Sequence, residues 1–195
     1  DLRAEEMDRY NVIILTGWNY DFPDVEGLRN WILSGGTLLS SGWSLNWLDN
    51  NEFLDIDFEE PARVDPRREF TYSERSRINS YHRIAGSIFE IEADITHPLF
   101  YGYYHPVIPV FKNSSSVILP ENGRFAHPAI YTESPVLSGY ASGENASRIA
   151  DSPFCLVQSY GSGKIIHLMD NTQFRGKWYG TQKIFANALF FGGIF

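Results

Sequence analysis

Tyr160-Gly-Ser-Gly-Lys-Ile-Ile-His-Leu-Met-Asp-Asn-Thr-Gln-Phe-Arg-Gly-Lys-Trp-Tyr-Gly-Thr181 decides the fold. The apolar run 154–157 leads into it, Gly161-Ser162-Gly163 permits a tight turn, and Ile165, Ile166, Leu168 and Met169 return. The segment therefore reads as two paired strands, a β-hairpin. Asp170-Asn171-Thr172 ends the second strand in polar residues, and a cluster of Arg175, Trp178 and Tyr179 follows. Thr181 is placed to cap a C-terminal helix over 182–191, whose inward face would carry Ile184, Phe185, Ala188, Leu189 and Phe191 before Gly192-Gly193 stops it.

Working back to the start, 11–15 is a continuous apolar run of the kind a strand needs when both its faces are covered. Val25, Leu28, Ile32 and Leu33 recur at helical spacing over 24–34, Asp24 stands near the start, and Gly35-Gly36 forms the stop. A second buried strand occupies 37–41. Strand, helix and strand joined by short loops make a βαβ unit with parallel strands and a right-handed crossover. Ligands of such sheets bind beyond the carboxyl ends of the strands. That rule singles out Thr16, Gly17, Trp18 and Asn19 after the first strand, and Ser40, Ser41, Gly42, Trp43 and Ser44 after the second.

From 50 to 83 charges are dense and Pro61 and Pro66 interrupt, which predicts an excursion with one short helix. A strand over 88–95 would bury Phe89, Ile91, Ala93 and Ile95. Shorter strands are expected at 107–111, 117–119 and 129–132, and a short helix at 144–150. No repeat or linker divides the chain, so 1–195 reads as a single α/β domain.

Composition narrows the function classes. With 195 residues and 43% hydrophobic content the chain can fill one substantial core. Its net charge of -8 argues against a nucleic-acid partner, which needs a basic face to displace counterions. No apolar run approaches the ~20 residues of a membrane helix. The single cysteine, Cys155, excludes an internal disulfide and sits inside an apolar strand, where a buried inert thiol is expected. The opening at Asp1 is read as that of a piece of a longer protein with any targeting signal upstream.

Each catalytic pattern fails on spacing. There is no His-x-x-Glu, no His-Glu-x-x-His and no Cys-x-x-Cys, and His97, His105 and His127 each precede a proline in a loop. His167 lies within a strand and is expected to make a cross-strand contact. Gly-x-Ser-x-Gly is not spelled out around Ser41 or Ser44, so a serine hydrolase or amidase on those residues is the weaker alternative. Gly161-x-Gly163-Lys164 continues as strand where a phosphate loop would open a helix. Asp55, Asp57, Glu59 and Glu60 lack calcium-loop spacing and read as a solvated face. Aromatic content of 15% puts Trp18, Trp43, Trp47, Trp178, Tyr101, Tyr103, Tyr104 and Tyr179 in or near predicted loops. They would form either a recognition surface for a saccharide, a peptide or another domain, or a capping mini-core.

Three passages together resemble a known family: Arg29-Asn-Trp-Ile-Leu-Ser-Gly-Gly-Thr-Leu-Leu39, Ala93-Asp-Ile-Thr-His-Pro-Leu-Phe-Tyr-Gly-Tyr103, and the closing 161–192 segment with Asp170-Asn171, Phe174-Arg175 and Trp178-Tyr-Gly. They resemble the C-terminal domain that follows the catalytic domain in large bacterial zinc carboxypeptidases of the carboxypeptidase A type. That domain is similar in turn to the class I glutamine amidotransferase-like fold, a flavodoxin-like three-layer sandwich with a mainly parallel sheet. The resemblance implies a non-catalytic accessory domain of a secreted bacterial protein, extracellular or periplasmic. Its partner would be its own upstream peptidase domain, which alone would hold zinc and perform proteolysis, and no cofactor is expected here. The amidotransferase cysteine has no counterpart at Ser40-Ser41-Gly42, and the first strands of the fold are expected upstream of Asp1. Residues assigned to binding are Trp18, Trp43, Asp170, Asn171, Arg175, Trp178 and Tyr179, and a peptide- or glycan-binding module using the loop aromatics is a further alternative.

Overall fold

The computed structural model describes residues 4–17, 22–54, 57–59, 71–119 and 127–195. In chain order these form α1 (Ala4–Met7), β1 (Val12–Leu15), α2 (Val25–Leu33), β2 (Thr37–Ser41), α3 (Ser44–Asn50), β3 (Phe58–Glu59), α4 (Tyr72–Tyr81) and β4 (Ser87–Ala93). Then come β5 (Val107–Lys112), β6 (Val117–Ile118), β7 (Ala129–Ser138), α5 (Gly143–Ile149), β8 (Cys155–Tyr160), β9 (Gly163–Leu168) and α6 (Tyr179–Phe191).

The apolar runs pair as expected, but β1 is an edge strand whose Ile14 is 40% exposed, so it is not covered on both faces as its unbroken apolar run predicts. The main sheet has the order β1-β2-β9-β8, with β1, β2 and β9 parallel and β8 antiparallel to β9. Successive side chains of a strand face opposite ways, and here the two faces meet different layers. Leu38 and Ile165 pack under Leu28 and Ile32 of α2 and Leu45 and Leu48 of α3. Leu39 and Ile166 pack against Phe89, Ile91 and Tyr131 of a second sheet and Ile184 and Ala188 of α6. The second sheet, β5-β4-β7, is antiparallel throughout, so the third layer of the sandwich is a sheet with one long helix beside it. β4 buries Phe89, Ile91 and Ala93 as its alternation predicts, but it ends at Ala93, and Ile95, expected on the same face, lies in the following turn and is only half-buried.

The hairpin seats on the end of α2 so closely that only glycine fits. A Cβ on Gly163 would come within 2.0 Å of the Ile32 carbonyl oxygen and 2.3 Å of that of Gly36, both backbone atoms. Gly161, at φ 64, supplies the left-handed turn position that other residues occupy at a cost.

Several elements depart from the sequence reading. The C-terminal helix begins at Tyr179, with Trp178 before it, and Thr181 is not its cap. Thr181 is buried instead and donates its hydroxyl to the Thr172 carbonyl at 2.8 Å, tying the helix to the segment that follows β9. Ser44 opens α3 where a loop is predicted, and Trp47 on that helix is a core residue stacked on Phe53, with ring centroids 5.5 Å apart. β7 continues to Ser138, past the predicted end at 132. Within the excursion, α4 is the short helix expected, started by a reciprocal capping box between Thr71 and Glu74. Asp55, Glu60, Pro61, Pro66 and Trp18 lie outside the described residues.

Candidate functional site

Because β1, β2 and β9 run parallel, their carboxyl ends open on the same edge of the sheet. A cleft of about 390 Å³ lies there. Thr16 comes from the end of β1, Ser41, Gly42 and Trp43 from the turn after β2, and Asn171 and Gln173 from the segment after β9. Asn113 and Ser114, which follow β5, line it from the second sheet.

The turn after β2 has the strand-turn-helix form on which this class of sheet can raise a nucleophile. Its left-handed residue, at φ 57, is Gly42, which has no side chain. The Gly42 amide donates to the Leu168 carbonyl at 2.8 Å, tying β2 to β9. Ser44 is fully buried: its hydroxyl accepts from the Ser41 amide at 3.0 Å and reaches the carbonyls of Ser41 at 2.9 Å and Leu15 at 3.2 Å. It therefore stitches the ends of β1 and β2 together and is not presented to the cleft. Ser41 does line the cleft, and among the described residues its hydroxyl forms no hydrogen bond to an imidazole.

A serine and a histidine do meet one position earlier. Ser40 Oγ lies 2.9 Å from His167 Nδ1, and the same hydroxyl lies 3.2 Å from the Ile166 carbonyl. They are register partners, each the penultimate residue of its strand, and both are wholly inaccessible, so this is the cross-strand contact predicted for His167. Burial pulls the imidazole down to about 3, leaving it neutral and a poor base. Cys155 is equally enclosed, and burial pushes its thiol up to about 12, the inert state expected.

Beneath the cleft wall is a buried polar triad. Lys112 Nζ lies 3.0 Å from Tyr131 Oη and 3.3 Å from Asp170 Oδ1, while Tyr131 donates to Asp170 Oδ2 at 2.5 Å. Lys112 is 0% and Asp170 2% exposed. Burial raises the Asp170 carboxyl, and the Lys112 ammonium and the Tyr131 hydroxyl pull against that rise. Burial and the Asp170 charge hold Tyr131 well above the usual phenol range, so it donates as a neutral hydroxyl. The triad joins β5 and β7 of one sheet to the end of β9 in the other, and Lys112 and Asp170 each immediately precede a carboxamide of the cleft, Asn113 and Asn171.

The residues singled out from sequence are thus divided. Trp43, 38% exposed, and Asn171 line the cleft, whereas Asp170 lies beneath it with its carboxylate occupied. Arg175, Trp178 and Tyr179 do not line it. The Trp178 indole donates to the Pro109 carbonyl at 3.3 Å, and the Arg175 guanidinium sits 5.3 Å from the centre of the Phe174 ring, which stacks on Phe111. Tyr103 donates its hydroxyl to the Gly180 carbonyl at 2.6 Å, pinning the start of α6, while Tyr104 and Tyr179 stay largely exposed. Sequence reasoning missed Lys112, although Ile108, Val110 and Lys112 share the inward face of β5 and that alternation is a usable signal. It also missed the cleft carboxamides of Asn113 and Gln173. His97 accepts from the Leu99 amide at 3.2 Å and caps a short 3-10 turn, a structural role. Among the described residues, no three His, Cys, Asp or Glu side chains gather as a metal site, and no helix is long and apolar enough to cross a membrane.

No family model and no curated protein matches the chain. Solved structures do. A ThuA-like protein from Parabacteroides merdae is 11% identical, with 96% of this chain and 72% of that one aligned at a TM-score of 0.57. A protein described as a GMP synthase component from Thermoplasma acidophilum is also 11% identical, with coverage of 95% and 74% and a TM-score of 0.54. A β-galactosidase from Bacillus circulans is 16% identical, with 92% of this chain aligned to 22% of that one at a TM-score of 0.50. At such identities the likeness is one of fold. The fold is a flavodoxin-like, class I glutamine amidotransferase-like α/β sandwich with a mainly parallel main sheet.

Proposed function

We propose that these residues form a non-catalytic accessory domain that works by holding a ligand or partner, attached to a zinc metallocarboxypeptidase and supporting or presenting substrate to its upstream catalytic domain. The observation that carries the non-catalytic reading is Gly42. At the strand-to-helix turn where an attacking atom would be raised, the left-handed position bears only hydrogen. Ser44 is committed to backbone atoms, and the Ser40 and His167 pair has no access to substrate.

The carboxypeptidase attachment rests on the sequence resemblance, and with it come the extracellular or periplasmic location and the assignment of zinc to the upstream domain. The recurrence of the fold as 22% of a β-galactosidase chain supports an accessory unit within a larger enzyme. A serine-reactive fluorophosphonate tests the reading: the 195-residue chain should remain unlabelled. Labelling that disappears in Ser41→Ala or Ser44→Ala would replace the accessory domain with a serine hydrolase.

A further inference from the structure

The cleft has an unusual chemical balance for a site at the end of a parallel sheet. Among the described residues, no Asp, Glu, Lys, Arg or His lines it. Its polar side chains are hydroxyls, as on Thr16 and Ser41, and the carboxamides of Asn113, Asn171 and Gln173, each of which both donates and accepts. Part of that capacity is used within the protein. Asn171 Oδ1 accepts from the Gln173 amide at 2.9 Å, and Gln173 Nε2 donates to the Gln182 carbonyl at 3.4 Å. Among the described residues, the side-chain nitrogen of Asn171 and the side-chain oxygen of Gln173 carry no hydrogen bond. Trp43 adds an aromatic surface.

Ligand classes can be separated on that balance. An ion entering the cleft would lose water with no opposite charge among the described lining residues to replace it, and an apolar ligand would strip water from the carboxamides without returning hydrogen bonds. A neutral ligand rich in hydroxyls incurs neither penalty, and the C–H face of a sugar ring packs on an indole. The volume, near the lower end of the ~300–1,000 Å³ range of small-molecule sites, suits a short saccharide over a long chain. The walls are also held in advance of binding. Asn113 and Asn171 stand one residue beyond Lys112 and Asp170, whose buried contact fixes the distance between the two sheets at that point.

We infer that the cleft at the carboxyl ends of β1, β2 and β9 is a binding site for an uncharged saccharide, with Asn113, Asn171 and Gln173 as its hydrogen-bonding side chains and Trp43 as its stacking platform. This rests on the binding, non-catalytic reading above and gives it a ligand class. The test titrates the 195-residue chain with glucose, galactose, mannose, maltose and cellobiose, and with glucuronate, glutamate and a neutral tripeptide, by tryptophan fluorescence and ligand proton NMR. Saturable binding of at least one neutral saccharide is expected, weakened about tenfold or more in Trp43→Ala and in the isosteric Asn171→Asp, and unchanged in Tyr104→Ala. Circular dichroism verifies each variant's fold, and if Trp43→Ala misfolds the surface variant Asn171→Asp decides. Response to glucuronate, glutamate or the tripeptide alone, or to no saccharide of the panel, overturns the inference. A saccharide that binds and is then consumed would leave the ligand class standing and refute the non-catalytic reading, so the two fail separately.

Discussion

Replacing Lys112 with methionine removes the only cation in contact with Asp170 among the described residues and leaves a carboxyl group enclosed with the Tyr131 hydroxyl alone. Breaking one partner of a buried pair costs about 3–5 kcal/mol, because the surviving charge stays desolvated without compensation. For a domain of this size each kcal/mol moves Tm by roughly 2–4 °C, so Lys112→Met should melt about 6–20 °C lower. The loss should shrink as pH is lowered, since protonating Asp170 relieves the uncompensated charge. A triple variant, Lys112→Met with Tyr131→Phe and Asp170→Leu, removes every member together and should return to within about 2 kcal/mol of the parent. Calorimetry and urea denaturation of the single and triple variants measure both. A single-variant loss under about 1 kcal/mol, or losses that simply add in the triple variant, would refute the claim that the triad acts as one buried unit.

Two further outcomes follow from the same packing. His167 is neutral when folded and its imidazole titrates near 3, against about 6.5 when unfolded, so the unfolded chain takes up the proton first as pH falls. Its contribution is complete above pH ~6.5 and is lost towards pH 3, by at most roughly 5 kcal/mol, since each unit of pKa is ~1.4 kcal/mol. His97 and His127 shift the same way through burial, and Asp170, raised by burial, opposes them, so the readout is the difference between the parent and His167→Gln, whose curve should be flatter across that window. Gly163→Ala should destabilise by about 1–3 kcal/mol or more, because its Cβ meets two backbone oxygens that cannot move without lifting the hairpin from α2. An alanine variant as stable as the parent in urea would show that the contact is slack.

Much of the frame was legible because it is written in local signals. The β1-α2-β2 unit is marked by an unbroken apolar run, a 3.6-residue pattern and the Gly35-Gly36 stop, and the hairpin by the glycines at 161 and 163. α3 was not legible, since Ser44-Leu-Asn-Trp-Leu48 follows Gly42 so closely that its polar residues read as loop. Trp47 points into the core from that helix, which composition alone cannot distinguish from an exposed aromatic. Thr181 looks like a cap in sequence, but a hydroxyl is indifferent to whether it meets an amide or the Thr172 carbonyl, and tertiary packing made that choice. Of the site, Thr16, Ser41 and Trp43 could be found because they stand at the carboxyl ends of strands of a parallel sheet, and Asn171 because it belongs to the polar junction that ends the hairpin. The Lys112, Tyr131 and Asp170 contact could not, because it joins residues up to 58 apart in sequence across two sheets. Asp170 consequently read as a binding residue of the polar junction, whereas the fold buries it against Lys112 and Tyr131.

In the proposed non-catalytic role, the turn at Gly42 presents a ligand surface without an attacking atom. The most direct test of that role incubates the purified chain, and its Ser41→Ala variant, with peptide, ester and glutamine substrates and quantifies products by mass spectrometry. Product formation equal to the buffer rate in both proteins is the predicted result. Turnover by the parent chain that falls to background in Ser41→Ala would contradict the claim.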